Sequence, residues 1–331
     1  MKDGDEPTIP AVQALHLADL ARRWGVAEAA LLHPLTAREL RDPSRRLTVR
    51  ELAALVERAR ALTGEPALGV HFGLRMQATS HGYLGFAAMA ASTLGEAIAL
   101  AARFAPTVTT AFSLRLTRGA TEASLALEEE ADLGPARDAV VLALVVGLWR
   151  MGCALTGREL DGRAELALPE PAYVARLRGS LPAARFGAVT HRLVFDAATL
   201  DLPLTTADPA ALALAQEQCE RAAEALATKA LARARALVPK AGGGFRTREE
   251  VARRLGLSVR TLERRLAEGG ASYRALLEGA RRERAEAMLR AGSQPVEAIA
   301  EALGYSDAAN FTRAFRRWTG ATPAAWRKSQ G

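Results

Sequence analysis

The stretch that decides the fold occurs twice near the C-terminus, as VARRLGLS at residues 251–258 and as IAEALGYS at residues 299–306. Each copy has apolar residues at helical spacing, then a glycine that ends the helix and a serine two residues later. A second helix that carries exposed arginines follows each copy. This layout is typical of a helix-turn-helix, which lays its second helix in the major groove of DNA. Two copies predict a protein that reads two neighbouring grooves.

Capping signals predict where the helices of the first copy begin and end. Thr247 and Glu250 form a capping-box pattern at the start of the first helix. Gly256 is expected to supply the left-handed residue at its end. Ser258 is expected to cap the second helix.

An apolar stripe between the two copies predicts a linker helix from about Ser272 to Ala291. At 1.5 Å per residue its length is on the order of 30 Å. One turn of B-DNA is roughly 34 Å. A spacer of this length would set two recognition helices into successive major grooves of duplex DNA. Duplex RNA is not expected as the partner, because its major groove is too narrow to be read in this way.

The exposed positions of the two predicted recognition helices are the candidate DNA contacts. Arginine recognises guanine and glutamate accepts from the cytosine amino group, whereas phosphate contact is the commoner fate of an exposed arginine. The first helix is therefore expected to carry most of the sequence discrimination. The candidates are Arg260, Glu263 and Arg264 in the first copy, and Ala309, Thr312, Arg313 and Arg316 in the second.

The charge of the chain is unevenly placed. Residues 240–331 hold 18 Lys and Arg against 10 Asp and Glu, whereas residues 1–239 hold 26 against 27. A general preference for arginine would make the N-terminal part basic too. The basic excess therefore lies where contact with phosphate is expected.

The region from residue 245 to residue 328 resembles the AraC/XylS family of bacterial transcription regulators. The resemblance rests on LGYSD at residues 303–307 and FTRAFRRWTG at residues 311–320, followed by Pro323. In that family both helix-turn-helix units bind DNA. The resemblance assigns base-reading positions to Arg260, Glu263 and Arg264 in the first unit and to Ala308, Ala309, Thr312 and Arg313 in the second. The two alanines replace polar residues often seen there, so the second unit is expected to add mostly apolar and phosphate contacts.

Three segments divide the chain. Residues 1–238 are predicted to form an effector-sensing or dimerisation domain, residues 239–245 a glycine-rich linker, and residues 246–331 the tandem helix-turn-helix domain. A long helix is predicted from Asp208 to Leu237, with Asp208 as the N-cap. Its apolar face is expected to pack on its own domain, and a dimer-forming face is the alternative.

The first 200 residues mix helix and strand patterns in an irregular order, which favours an α+β fold over a doubly wound sheet. The helical patterns cover roughly Ala11–Trp24, Val49–Thr63, Thr93–Ala105, Gly134–Thr156 and Ala172–Ser180. Strand patterns cover Ser113–Thr117 and Ala123–Leu127, which suggest a hairpin, then Ala164–Leu168 and Arg192–Phe195. The predicted fold is an α+β N-terminal sensory domain followed by an all-α domain of two helix-turn-helix units joined by a linker helix.

The N-terminal part is similar to the arabinose-binding-like domain of one branch of that family. The matching runs are LTGEP at 62–66, GYLGF at 82–86, STLGEA at 92–97, LTG at 155–157, RFG at 185–187 and VFD at 194–196. Members of the branch serve varied genes, so arabinose itself does not follow as the ligand. The resemblance implies a domain that senses a small molecule or mediates dimerisation.

Polar residues beside apolar runs are the candidate effector contacts, because such residues orient a polar metabolite in an otherwise apolar pocket. These candidates are Arg75, His81, Tyr83 and Arg103. The alternative for each is an ordinary surface or structural role.

No catalytic or metal-binding constellation is found in the sequence. Cys153 and Cys219 are far apart and fit neither a disulfide framework nor a metal site. Cys153 also lies mid-helix, without the strand–turn–helix elbow of a nucleophile. We expect no cofactor, no metal and no enzymatic activity, and an enzyme fused to a DNA-binding module is disfavoured.

Membrane insertion is not expected either. The best candidate for an apolar span, Ala139–Leu148, is shorter than the roughly 18 residues that a membrane span needs. The N-terminus lacks the basic and apolar segments of a signal peptide. A cytoplasmic location follows.

The predicted function is that of a sequence-specific transcriptional regulator, an activator that acts as a homodimer. Its expected partners are double-stranded promoter or operator DNA, RNA polymerase and an unknown small-molecule effector. A ligand-independent repressor or an architectural DNA binder is the alternative, and neither would respond to a panel of metabolites.

Overall fold

The computed structural model of the chain describes residues 7–42, 44–241, 243–255, 257–292 and 294–330. The chain divides into two compact units, one up to Ala223 and one from Glu224 onward. The first unit mixes helices and strands, and the regular elements described in the second are helices apart from an isolated bridge. The predicted order of an α+β part followed by an all-α part is confirmed.

The first unit begins with short elements and ends with part of a long helix. Its α-helices are α1 (Val12–Ala21), α2 (Glu28–Leu32), α3 (Ala37–Leu40), α4 (Val49–Thr63), α5 (Leu68–Gly73), α6 (Gly82–Ala90), α7 (Leu94–Val108), α8 (Arg137–Thr156) and the start of α9 (Pro209–Leu237). Its strands are β1 (Thr8–Pro10), β2 (Arg46–Thr48), β3 (Phe112–Arg118), β4 (Glu122–Glu129), β5 (Gly162–Leu166), β6 (Ala183–Phe186) and β7 (His191–Asp196).

A five-stranded sheet in the order β3-β4-β7-β5-β6 forms the centre of the first unit, and β1 pairs with β2 in a separate small sheet. The predicted hairpin is present, with Leu114 opposite Leu127 and Leu116 opposite Leu125. Strand β6 pairs in parallel with β5, and the other pairs of this sheet are antiparallel. Strand β6 lacks a predicted counterpart because its residues are mostly exposed and do not alternate between buried and exposed.

Helix α8 is the central helix of the first unit. It is buried on nearly every side through residues such as Val141, Val145 and Trp149, as a core helix is. Glycines in α5 let that helix pack closely against α8. A Cβ atom at Gly69 would lie 2.1 Å from the carbonyl oxygen of Ala139 in α8. The helical segment Gly134–Thr156 has the bounds that the sequence pattern predicts. Among the described residues it is long and apolar enough by composition to cross a membrane, although its uninterrupted apolar run is shorter. Its burial identifies it as a core helix.

Segment 172–180 differs from its predicted form. A helix was expected over Ala172–Ser180, and the chain forms a 3-10 helix there. Helix α7 runs three residues beyond its predicted end, to Val108, and includes Pro106.

Helix α9 contributes to both units. The Oδ1 atom of Asp208 accepts hydrogen bonds from the backbone N–H groups of Ala210 (2.9 Å) and Ala211 (3.0 Å), which confirms the predicted N-cap. Its first half adds Cys219 to a core cluster of the first unit. Its last turns add Ala234 to a core cluster of the second unit.

The second unit contains two helix-turn-helix pairs in sequence. Its further helices are α10 (Arg248–Arg254), α11 (Val259–Glu268), α12 (Tyr273–Arg290), α13 (Val296–Ala302), α14 (Ala308–Thr319) and α15 (Pro323–Gln330). The capping box of Thr247 and Glu250 is present, and Ser258 accepts from the backbone N–H of Thr261 at 3.1 Å. The predicted helix end at Gly256 lies outside the described residues.

The glycine-rich tract after α9 is a hydrogen-bonded turn in its described residues. Pro239 and Phe245 form an isolated antiparallel bridge. The backbone N–H of Lys240 donates to the carbonyl of Gly244, and that of Gly243 donates to the carbonyl of Lys240, both at 3.1 Å. Gly243 (φ +104°) and Gly244 (φ +71°) adopt conformations that favour glycine. Phe245 then packs against the cores of both helix-turn-helix units.

Candidate DNA interface and effector cavity

Helix α11 presents the predicted reading positions of the first helix-turn-helix unit. Leu262 and Leu266 are fully buried and fix the inner face of the helix. Arg260 is exposed, whereas Glu263 and Arg264 are half-buried. The Oε1 atom of Glu263 lies 4.0 Å from the Nη1 atom of Arg248 on α10. The three candidates of this unit are thus on or near the outer side of the helix.

Helix α14 is the corresponding helix of the second helix-turn-helix unit. Phe311 and Phe315 are fully buried and fix its inner face. Of the predicted reading positions, Ala308 is half-buried and packs against the core of this unit, and Thr312 is half-buried. The exposed positions are Ala309, Arg313 and Arg316.

Asn310 is a further candidate on α14 that the sequence reasoning missed. Its backbone N–H donates to the Oδ1 atom of Asp307 at 2.7 Å, and its side-chain amide donates to Ser306 Oγ (2.9 Å) and Asp307 Oδ2 (2.6 Å). Its Oδ1 atom accepts from the guanidinium of Arg313. Asparagine is the side chain that pairs bidentately with adenine. Its place in the first turn of a predicted recognition helix was the signal that could have found it.

A groove of about 690 Å³ lies between α12 and α14 and is lined by arginines. Glu278 binds two of them, with its Oε1 atom 3.4 Å from Arg274 Nε and 3.1 Å from Arg317 Nη2. The guanidinium of Arg281 lies 5.0 Å from the ring centre of Tyr305, within the range of a cation–π contact. Glu278 does not balance the positive charges of the other two arginines of the groove, Arg281 and Arg313. Their charge suits the groove to a phosphate group.

The linker helix joins the two helix-turn-helix units, as the sequence predicts. Helix α12 is capped by Ser272, whose Oγ atom accepts from the backbone N–H of Ala275 at 3.2 Å. Its 18 residues span about 27 Å. Leu276 belongs to the first core and Leu289 to the second. One helix therefore holds both recognition helices.

The four candidate effector residues of the first unit do not come together. Arg75 is exposed, with its Nη2 atom 3.3 Å from Asp19 Oδ2. Arg103 is exposed, with its Nη2 atom 3.2 Å from Glu220 Oε1. Tyr83 is 58% exposed. Of the four, His81 is the one that lines the cavities described below.

Two adjoining cavities lie inside the first unit. The larger has a volume of about 160 Å³ and the smaller about 120 Å³. Both are lined by Met76, His81, Val108, Thr109, Phe112 and Leu144. The Nε2 atom of His81 is buried and has no hydrogen-bond partner among the described residues. Burial lowers the pKa of His81 below its ordinary value, and the nearby His16 lowers it further.

Comparisons with known proteins agree with this division. The family model described as the arabinose-binding domain of AraC transcription regulators matches residues 18–204, and a helix-turn-helix domain model matches residues 251–329. The ornithine utilization regulator of Pseudomonas aeruginosa is 34% identical over 97% of this chain and 96% of its own. The chain belongs to the AraC family of transcription regulators.

Two other proteins are similar to this AraC-family regulator. An uncharacterised helix-turn-helix regulator of Mycobacterium tuberculosis is 29% identical over 94% of this chain and 93% of its own. The crystal structure of the transcriptional regulator CdpR from Pseudomonas aeruginosa is 23% identical and covers 95% of this chain and 98% of that one, with a TM-score of 0.44. The family is one of DNA-binding regulators, so the tandem helix-turn-helix unit of this regulator binds DNA.

Proposed function

We propose that this AraC-family regulator is an activator that binds promoter DNA as a homodimer and responds to a small molecule held in its first unit. The observation that carries the proposal is the pair of recognition helices, each with exposed arginine, fixed on one linker helix. Activation through RNA polymerase in the cytoplasm, without a catalytic step, completes the proposal.

For base reading we propose the outer faces of α11 and α14. The proposed contacts of the first helix-turn-helix unit are Arg260, Glu263 and Arg264. Those of the second helix-turn-helix unit are Ala309, Thr312, Arg313 and Arg316, together with Asn310. Ala308 is the weakest of the proposed contacts, because it is partly buried against the core beneath it.

For the domains we propose a sensory part and a DNA-binding part, and we place the tract of residues 239–245 inside the DNA-binding part, between α9 and α10. The position of Ala234 and Val238 in the core of the second unit supports including the last turns of α9 in the DNA-binding part. A DNA-binding fragment is therefore best begun at Glu224, where the second compact unit begins.

Gel-shift titration of the full chain on its own promoter region tests DNA recognition. We expect affinity for the promoter to exceed affinity for unrelated duplex by at least 10³-fold, and to fall steeply with salt because bound phosphates release counterions. Equal affinity for both duplexes at every salt concentration would support the architectural alternative.

In vitro transcription with bacterial RNA polymerase tests the sign of regulation. We expect transcript to increase when the regulator is added and to change again with an effector. A decrease that no small molecule modulates would support a ligand-independent repressor. Light scattering of the same preparation tests the dimer, which should have twice the mass of the 35.2 kDa chain.

The name of one relative suggests ornithine as a candidate effector. That protein is an ornithine utilization regulator. Ornithine carries charged groups that need charged or strongly hydrogen-bonding partners when buried. The cavities of this chain offer few such groups, so a different ligand chemistry has to be considered.

A further inference from the structure

The walls of the two cavities are almost entirely apolar. Side chains such as Leu84, Ile98, Leu125 and Trp149 from several helices and the sheet surround the larger one. Among the described residues that line either cavity there is no Asp, Glu, Lys or Arg. A charged ligand group would therefore be buried without a counter-charge, which costs far more than a hydrogen bond returns.

His81 supplies the hydrogen-bonding group of the wall that both cavities share. Its Nε2 atom is buried and has no hydrogen-bond partner in the part of the chain that the structure describes. A buried polar group without a partner is costly, so a ligand that supplies one is favoured. The hydroxyl of Thr109, on the same wall, is already engaged. It donates to the carbonyl of Thr8 at 3.2 Å and accepts from the backbone N–H of Ala111 at 3.1 Å. A polar ligand atom is thus directed to His81.

The volume of the larger cavity limits the size of its ligand. An apolar cavity of about 150 Å³ in a protein core holds one benzene molecule. The larger cavity, at about 160 Å³, therefore fits one six-membered ring. The adjoining cavity of about 120 Å³ leaves room for a short alkyl substituent.

We propose that the effector is a small uncharged molecule with one aromatic or alicyclic ring and one hydroxyl group, such as a phenol. The ring fills the larger cavity and the hydroxyl forms a hydrogen bond with the Nε2 atom of His81. This inference rests on the proposed function, in which the first unit holds an effector, and it names the chemical class of that effector.

Calorimetric titration of the full chain with phenol, toluene, benzoate and L-ornithine tests the ligand class. We expect phenol to bind more tightly than toluene, because only phenol satisfies His81. We expect no binding of benzoate or L-ornithine. Binding of either charged probe in the absence of phenol binding would overturn the proposal.

The His81→Phe variant tests the hydrogen bond. This variant keeps the apolar volume of the wall and removes the nitrogen. The affinity for phenol should therefore fall by about 2- to 10-fold, while the affinity for toluene stays as before. An equal effect on the two probes, or no effect on either, would contradict the role of His81.

A filled cavity tests the location of the ring. Ala101 lines the larger cavity on α7, and Ala99 is exposed on the same helix. We expect Ala101→Leu to abolish binding of both phenol and toluene, and Ala99→Leu, the matched control, to bind like the parent. Unchanged binding to a folded Ala101→Leu variant would rule the cavity out, and if that variant fails to fold, the His81→Phe comparison still decides.

Gel-shift titration of the same proteins separates this inference from the proposed function. If phenol binds but leaves DNA affinity and transcription unchanged, the ligand class holds and the regulatory role fails. If DNA binding and activation are normal but phenol does not bind, the ligand class fails and the regulatory role stands.

Discussion

Asn310 is the residue at which the structure adds most to the DNA interface. Its side-chain amide donates to Ser306 and Asp307, so it is oriented before DNA arrives and exchanges one of these hydrogen bonds when it pairs with adenine. A positioned asparagine that pairs with adenine is worth about 1–3 kcal/mol of discrimination. We expect Asn310→Ala to lower affinity for the promoter by an energy of that order and to relax base choice at one position.

Thermal unfolding of Asn310→Ala provides the control for that prediction. The side chain is half-buried and its hydrogen bonds lie in exposed settings, so the Tm should change little. An unchanged preference for bases in a selection from randomised duplexes would contradict a reading role for Asn310.

His191 makes the stability of the first unit dependent on pH. Its Nδ1 atom accepts from the backbone N–H of Ala167 at 3.2 Å, so its Nε2 atom carries the proton and donates to Glu129 Oε1 at 3.0 Å. Burial lowers the pKa of His191 below its ordinary value of 6.5. Because the folded pKa lies below the unfolded one, stability is complete above about pH 6.5 and is lost as the pH falls through the folded pKa.

We therefore expect the Tm of the full chain to fall between pH 7.5 and pH 5.5. Burial also lowers the pKa values of His16, His71 and His81, so these histidines act in the same direction. His191→Gln should cost about 1 kcal/mol at pH 7.5 and should reduce the loss at pH 5.5. A Tm that rises on acidification would contradict this account.

At the scale of elements, the last turns of α9 belong to the DNA-binding unit. Ala234 and Val238 are fully buried there, and the side chain of Arg246 donates to the carbonyls of Leu237 and Pro239. We expect fragment 224–331 to fold and bind DNA, and fragment 240–331 to be less stable by about 2–4 kcal/mol, because it exposes the surface that Val238 covers. Urea unfolding of the two fragments measures the difference, and equal midpoints would contradict it.

Elements with local signals could be predicted from the sequence. Helix α4 begins and ends where expected because Thr48 and Glu51 form a capping box and Gly64 adopts the left-handed conformation. The hairpin of β3 and β4 was evident from alternation and its short turn. Strand β6 was not, because its parallel pairing with β5 depends on chain that is distant in sequence.

The candidate sites show the same limit. The recognition helices follow from caps and apolar spacing, which are local. The surroundings of Arg75 and Arg103 depend on Asp19 and Glu220, which are 56 and 117 residues away in the chain. The apolar cavity beside His81 is assembled from several helices and the sheet, so no local pattern marks it.

At the scale of the whole molecule, the central claim is that both helix-turn-helix units read bases in neighbouring major grooves. Each unit has its own core, and helix α12 contributes to both. Phe245 packs against both cores as well. The DNA-binding unit should therefore contact two half-sites about one helical turn apart.

Footprinting of the full chain with the Arg264→Ala and Arg313→Ala variants on one promoter tests this claim most directly. Arg221→Ala, an exposed arginine of the first unit, is the matched control. We predict that the parent and the control protect two adjacent grooves, and that each variant loses about 1–3 kcal/mol of affinity and relaxes base choice in one groove only. Footprints and affinities of both variants that equal those of the parent would contradict the claim.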